Sequence, residues 1–213
     1  MAHADTAPAL ESASVVVLDA DGSEVLTKHG DDVRPIASMT KIFAAMVVRK
    51  KQLDLEGWTS ITAADAKAAE GGAPTALLRD HEFRNVDLLH AMLLVSDNRV
   101  PTALARSVGL SPADLLTEMN ALAKKLGLEH TVFEDVTGIL GNQSTAREMA
   151  IAMQATLEDP VLARIMRTRY ARIRSRDEAV TIDYKSTVKP LWGKAYKVRA
   201  ARPARPRGPD TAC

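Results

Sequence analysis

Seven consecutive residues, Ile42-Phe43-Ala44-Ala45-Met46-Val47-Val48, are apolar, and no other stretch restricts the fold as strongly. A helix that is apolar on every side cannot lie on a surface, so this one predicts a central helix with other elements packed around it. Pro35 precedes it, and Arg49-Lys50-Lys51 closes it with cations where the helix dipole favours them. A chain of 213 residues is long enough to bury such a helix within one domain. Aromatic residues make up only 4%, so the packing around it must come from Ala, Leu, Val and Met, which suits a helix-rich interior. No apolar run reaches the roughly 18 residues that span a bilayer.

The remaining elements follow from local signals. Ser14-Val15-Val16-Val17-Leu18 and Glu24-Val25-Leu26-Thr27 flank Asp19-Ala20-Asp21-Gly22, which predicts an antiparallel hairpin at the start of the fold. Asn85 is expected to cap an apolar helix from Val86 to Val95, and Pro101 to mark the first turn of another through Ala105. Ser111, Pro112 and Asp114 form a capping-box pattern ahead of Leu115, Met119, Leu122 and Leu126, with Gly127 as the stop. Thr145 and Glu148 repeat that pattern before Met149, Met153 and Leu157. Asp159-Pro160 opens a short helix carrying Leu162, Ile165 and Met166, and Arg172-Ile173-Arg174-Ser175-Arg176 alternates like a solvated strand. Met119, Met149 and Met153 read as core fillers. Trp58 and Trp192 suit either a core or a cleft.

Two short motifs carry chemistry. Ser38-Met39-Thr40-Lys41 is an S-x-x-K sequence, and on a helix positions i and i+3 share a face, so the amine can reach the hydroxyl. Serine is a poor nucleophile until a neighbouring base takes its proton. Lysine can be that base only when neutral, which burial and a helix N-terminus both favour. About one S-x-x-K is expected by chance in a chain of this length. Ser96-Asp97-Asn98 is far rarer, expected in about a few per cent of such chains. It follows an apolar segment, where a turn could present its side chains to a cleft. A second hydroxyl can relay a proton, and an asparagine amide can both donate to and accept from a peptide.

S-x-x-K with S-D-N is the pairing found in penicillin-binding proteins and class A β-lactamases. The segment Arg34-Pro35-Ile36-Ala37-Ser38-Met39-Thr40-Lys41 resembles the active-site segment of the D-alanyl-D-alanine carboxypeptidases and endopeptidases, the low-molecular-mass penicillin-binding proteins. Phe133-Glu134-Asp135-Val136-Thr137-Gly138 and Ser144-Thr145-Ala146-Arg147-Glu148 resemble two further landmarks of that family, in order. The resemblance covers about residues 12–192 and is closest to the endopeptidase branch. No E-x-x-L-N loop follows Ser96, which argues against a β-lactamase.

The resemblance implies an α/β (α+β) fold in which a helical cluster packs on an antiparallel sheet. It implies Ser38 as acyl-forming nucleophile, Lys41 as general base, Ser96 as proton relay and Asn98 as a substrate-binding residue. Asp97 falls where the family varies and stays outside that set. The implied substrates are D-Ala-containing peptidoglycan peptides, with β-lactams as acylating ligands, no cofactor, and a place in the periplasm or cell envelope.

The third family element, K-T-G, should follow Thr187 and Trp192, and no K-T-G or K-S-G is present. Lys185-Ser186-Thr187 lacks the glycine and comes too early. In the family that element binds the substrate's terminal carboxylate and completes the oxyanion hole. Its strands also complete a sheet with the N-terminal hairpin, so Val15-Val16-Val17 is expected to keep an unpaired edge. Weak or absent labelling of Ser38 by a fluorescent penicillin is therefore expected. A non-catalytic module that binds cell-wall peptide or a partner enzyme is the alternative.

The expected organisation is an N-terminal segment 1–11, a partial peptidase domain 12–192, and a disordered basic tail 193–213. Residues 1–160 carry 14 basic and 23 acidic side chains, whereas 161–213 carry 14 basic and 4 acidic. The tail from Lys194 alternates Arg, Ala and Pro and reads as an out-of-frame or otherwise truncated end of a longer ancestor. No aromatic interleaves its arginines and no nucleic-acid module precedes it, so binding to nucleic acid is not expected. No basic segment with a following apolar core forms a signal peptide; Ala2-His3-Ala4 has the small-x-small form of a cleavage site, a form that chance also produces. The histidines His3, His29, His81, His90 and His130 are scattered, with no pair at zinc-ligand spacing, and the single cysteine, Cys213, allows no internal disulfide.

Overall fold

Helix α1 (Thr40–Lys50) runs through the centre of the molecule, with Ile42, Phe43, Ala44, Ala45, Val47 and Val48 all buried. The computed structural model describes residues 10–19 and 21–192. The Ala2-His3-Ala4 segment, nearly all of residues 1–11, and the 193–213 tail with Cys213 therefore lie outside the described residues. Four helices surround α1: α3 (Asn85–Leu94), α4 (Val100–Ser107), α5 (Pro112–Lys125) and α6 (Ala146–Leu157). The short α2 (Ala63–Ala68) packs on α4, and α7 (Pro160–Met166) packs on α3 and α6. Phe43 meets Phe133 at a ring-centroid distance of 4.6 Å, anchoring the chain beyond α5 to the central helix.

The helix ends show where local signals decide and where they do not. Ser111 and Asp114 form a reciprocal capping box at α5, and Gly127 follows in the left-handed region at φ +72°. At α6, Thr145 accepts the Glu148 amide, but the Glu148 carboxylate turns away to Thr131 Oγ1 at 2.5 Å and to the His130 amide at 2.9 Å. The expected box is therefore one-sided. Asn85 is not a cap: Arg84 occupies that position. The Asn85 side chain accepts from Thr59 Oγ1 at 2.5 Å and donates to the Asp54 carbonyl at 2.7 Å. Tertiary partners have taken the side chain that sequence assigned to the helix end.

The strands form antiparallel pairs. β1 (Val15–Leu18) and β2 (Glu24–Lys28) make the expected hairpin, in register Val16 to Thr27 and Val17 to Leu26. Asp19 closes its turn by accepting the Ser23 amide at 3.0 Å, and Gly22 supplies φ +91°. β3 (Arg34–Pro35) pairs with β6 (Gln143–Ser144), β4 (Trp58–Ser60) with β5 (Glu82–Arg84), and β7 (Tyr170–Arg174) with β8 (Thr181–Lys185). An isolated bridge from Phe83 to Ser175 links the β4–β5 pair to the end of β7. The helical cluster with antiparallel strands is the expected class, but the described strands make four two-stranded ladders rather than one continuous sheet.

β1 pairs with β2 alone among the described residues, and the hairpin leans on α6. Between them lies an apolar groove of about 1280 Å³ lined by Val16, Leu18, Met39, Met149, Met153 and Leu157, among others. The groove reaches Met39, one residue beyond Ser38, but neither Ser38 nor Lys41 lines it.

Candidate active site

The segment before α1 is bent sharply. Ala37 has φ +43°, a conformation that costs an L-residue about 1–2 kcal/mol. Ala37–Met39 then form a single 3-10 turn that leads into α1. Ser38 thus stands in this turn, just ahead of the helix rather than inside it. Ile36 is pinned on the other side, its amide donating to the Asn142 carbonyl at 3.1 Å.

The strained turn is matched to one glycine. Gly138 has φ +81°, and a β-carbon there would fall 2.1 Å from the Ala37 carbonyl oxygen and 3.1 Å from the Ser38 amide nitrogen. Only a residue without a side chain permits this backbone-to-backbone approach. Lys41, fully buried on the first turn of α1, joins the two segments. Its Nζ stands 3.4 Å from Ser38 Oγ and donates to the Thr137 carbonyl at 2.5 Å.

Residues 134–142 are held by two side chains. The Asp135 carboxylate accepts from the amides of Gly138 at 2.7 Å and Ile139 at 2.9 Å and from Thr137 Oγ1 at 2.7 Å. Asn142, buried, accepts from the Glu134 and Asp135 amides at 2.7 and 3.0 Å. Its Nδ2 donates to Thr40 Oγ1 at 2.8 Å and to the Asp135 carbonyl at 2.9 Å. Asn142 therefore ties this loop to the residue next to Lys41. Sequence reading singled out the segment 133–138 but missed Asn142. The available signal was Asp135 three residues before Gly138, a spacing at which a carboxylate commonly gathers following amides.

Ser96-Asp97-Asn98 follows α3 and all three side chains are buried. Ser96 is left-handed at φ +66°, and its Oγ has no hydrogen-bond partner among the described residues. Asp97 accepts from Thr75 Oγ1 and from the Arg99 amide, the latter at 3.0 Å. Burial pushes its carboxyl above the ordinary range, against the hydrogen bonds from Thr75 and Arg99 and the charges of Arg99 and Lys41. Asn98 packs against Gly72, where a β-carbon would lie 1.9 Å from Asn98 Nδ2.

Ser38 and Lys41 are thus in contact, and the Lys41 charge acts on Asp97 of the 96–98 turn. No described hydrogen bond joins Ser96 to that pair. On β8, Tyr184 is buried with its hydroxyl unpartnered among the described residues; burial pushes the phenol far up, and the Asp97 charge adds to it. Lys185 places its ammonium 4.6 Å from the Trp192 ring, and Trp192 Nε1 donates to the Ser186 carbonyl at 3.0 Å. Trp58 sits on the surface near the guanidinium groups of Arg84 and Arg176, at 5.9 and 5.8 Å.

Three of the described histidines have structural partners: His130 faces Glu148 at 2.8 Å, His81 faces Asp177 at 3.1 Å, and His90 meets the Val86 carbonyl at 2.9 Å. Among the described residues no group of three or more His, Cys, Asp or Glu could hold a metal ion. No described helix is long and apolar enough to cross a membrane.

This arrangement has relatives. The chain is 30% identical over 182 residues to a D-alanyl-D-alanine endopeptidase of Escherichia coli, covering 84% of this chain and 58% of the relative. It is 29% identical over 154 residues to a D-alanyl-D-alanine carboxypeptidase of Bacillus subtilis, covering 70% and 39%. It spans less than two thirds of the length of these curated relatives. Among solved structures, a Streptomyces DD-transpeptidase superposes with a TM-score of 0.78 at 22% identity, covering 86% of this chain and 76% of that one. A D-alanyl-D-alanine carboxypeptidase of Mycobacterium tuberculosis gives 0.77 at 24%, covering 88% and 71%. Both likenesses establish the fold. A family model described as D-alanyl-D-alanine carboxypeptidase matches residues 1–202, and the chain belongs to that family.

Proposed function

We propose that this chain is a serine-type peptidase that forms an acyl-enzyme on Ser38 with D-alanyl peptides of peptidoglycan. The observation that carries the reading is the fully buried Lys41 amine, 3.4 Å from Ser38 Oγ. Burial disfavours the ammonium form, so the amine can act as a base. In the step, Lys41 accepts the Ser38 proton as Oγ attacks the D-Ala carbonyl carbon. The tetrahedral adduct collapses, the C–N bond breaks, and the departing amine takes a proton relayed through Ser96. The Asn98 amide holds the substrate backbone. Water then attacks the ester, releasing the peptide and restoring the Ser38 hydroxyl.

Residues 12–192 supply this unit, and the reading places it in the periplasm or cell envelope, where its substrate is. β-Lactams, which present a strained amide to the same serine, are expected to acylate it. The Ser96 hydroxyl, without a hydrogen-bond partner among the described residues, favours a second reading, a non-catalytic domain that binds cell-wall peptide or a partner enzyme.

Intact-mass measurement after prolonged incubation with a fluorescent penicillin tests both. The expected result is a covalent adduct mapped to Ser38 and missing in S38A. No adduct at saturating antibiotic would overturn the catalytic reading. Retained affinity for a D-Ala-D-Ala peptide without release of D-alanine would then establish the second.

A further inference from the structure

The 96–98 turn is not held in place by α3 alone. Ser96 adopts a left-handed backbone, and a single described main-chain bond, Asp97 amide to Ala91 carbonyl at 3.1 Å, returns the turn to that helix. The other restraints come from residues 72–77. Thr75 Oγ1 donates to Asp97 Oδ2, and Arg99 Nη1 donates to the Leu77 carbonyl. Gly72 lies against Asn98 too closely for any β-carbon. Leu77 is fully buried, which fixes this end of the segment in the core.

The Thr75 hydroxyl has a defined direction. Its oxygen accepts the Leu77 amide at 3.1 Å, so its hydrogen is free to point at the carboxylate. Asp97 in turn spends its second oxygen on the Arg99 amide. The chain Leu77 amide, Thr75 hydroxyl, Asp97 carboxylate, Arg99 amide therefore closes a loop around the turn, and the Arg99 guanidinium crosses back to Leu77.

We propose that Thr75 is a positioning residue: through Asp97 it fastens residues 72–77 onto the 96–98 turn and so fixes where the Ser96 hydroxyl and the Asn98 amide stand relative to Ser38. This rests on the reading that Ser38 is acylated with help from those two side chains. A hydroxyl is required because valine has the same shape but leaves the Asp97 oxygen without its donor. The charged or titratable groups facing Asp97 are Arg99, Lys41 and the Tyr184 phenol.

The test uses the full chain with T75V and T75S. One arm measures the rate of Ser38 acylation by fluorescent penicillin; a second measures amide hydrogen exchange at residues 72–77 and 96–99. T75V is expected to slow acylation about tenfold, as for loss of one hydrogen bond to a charged group. It should also speed exchange in both segments, and T75S should restore each. Wild-type acylation by T75V, or T75S as slow as T75V, would overturn the proposal. If the wild type forms no adduct, the Ser38 reading fails by itself and exchange decides the fastening. Unchanged protection at 96–99 in T75V then refutes it, while loss that T75S reverses upholds it.

Discussion

Lys41 Nζ donates to the Thr137 carbonyl at 2.5 Å while standing 3.4 Å from Ser38 Oγ. In the neutral form that the proposed chemistry requires, the amine has two N–H donors and one lone pair. Committing a hydrogen to Thr137 orients the nitrogen and leaves the lone pair to be turned towards the serine. Replacing Lys41 should therefore separate chemistry from stability. K41M keeps the buried volume and removes the amine proposed as base, so adduct formation should fall at least about 100-fold. Stability should change by less than about 2 kcal/mol, since a lost hydrogen bond to Thr137 is offset by removing a buried amine. Acylation kinetics beside urea melts check both halves.

Gly138 should be intolerant of any side chain. G138A forces an L-residue to positive φ and drives a methyl into the Ala37 carbonyl, where backbone rather than a mobile side chain must yield. The expected loss is at least about 2 kcal/mol, and the surviving folded protein should acylate more slowly because Ser38 shifts with Ala37. A G138A protein with wild-type melting and labelling would refute the tight approach.

N142A removes a buried side chain that satisfies five groups: the Glu134 and Asp135 amides, the Asp135 carbonyl, the Asp135 carboxylate and Thr40 Oγ1. Buried polar groups left without partners cost about 1–3 kcal/mol each, partly relieved by entering water. A destabilisation of about 3 kcal/mol is expected from denaturant unfolding, with faster hydrogen exchange across residues 134–142.

Two buried aspartates should give opposite pH signatures. At Asp65, burial opposes ionisation, but Arg106, Thr102 and Thr62 outweigh it and hold the carboxyl below its usual range. Its stabilisation is present above the unfolded value, about 3.9, and is lost as pH falls through the lower folded value. At Asp97, burial dominates and the folded value is raised. Its contribution is most favourable below the unfolded value and is lost as pH rises through the folded one. Urea melts from about pH 3 to about pH 7 should therefore show D65N losing stability relative to wild type as pH rises. D97N should gain relative to wild type over the same range.

Local spacing made part of this molecule legible. Ser38 and Lys41 are one helical turn apart, so their contact is written into the sequence, as are the Ser111–Asp114 cap and the Asp19 hairpin turn. The features that escaped depend on partners distant in the chain. Glu148 fits the capping pattern, yet Thr131 and the His130 amide draw its carboxylate away. Asn85 looks like a cap and serves instead as a bridge between Asp54 and Thr59. Thr75 and Asn142 have no motif around them, and their importance appears only when the chain brings them to Asp97 and Thr40. The two-residue pairing of β3 with β6 is likewise too short to leave a period in the sequence.

The contact of Lys41 with Thr137 joins residues 96 apart, and that of Thr40 with Asn142 joins residues 102 apart. Closing loops of that length is entropically slow compared with winding a helix. The Ser38 turn therefore reaches its final geometry only after α1 and the 134–142 loop have docked. In a refolding experiment, helical circular dichroism should recover before the protein can be trapped by a covalent inhibitor, and the lag between the two signals would time that docking.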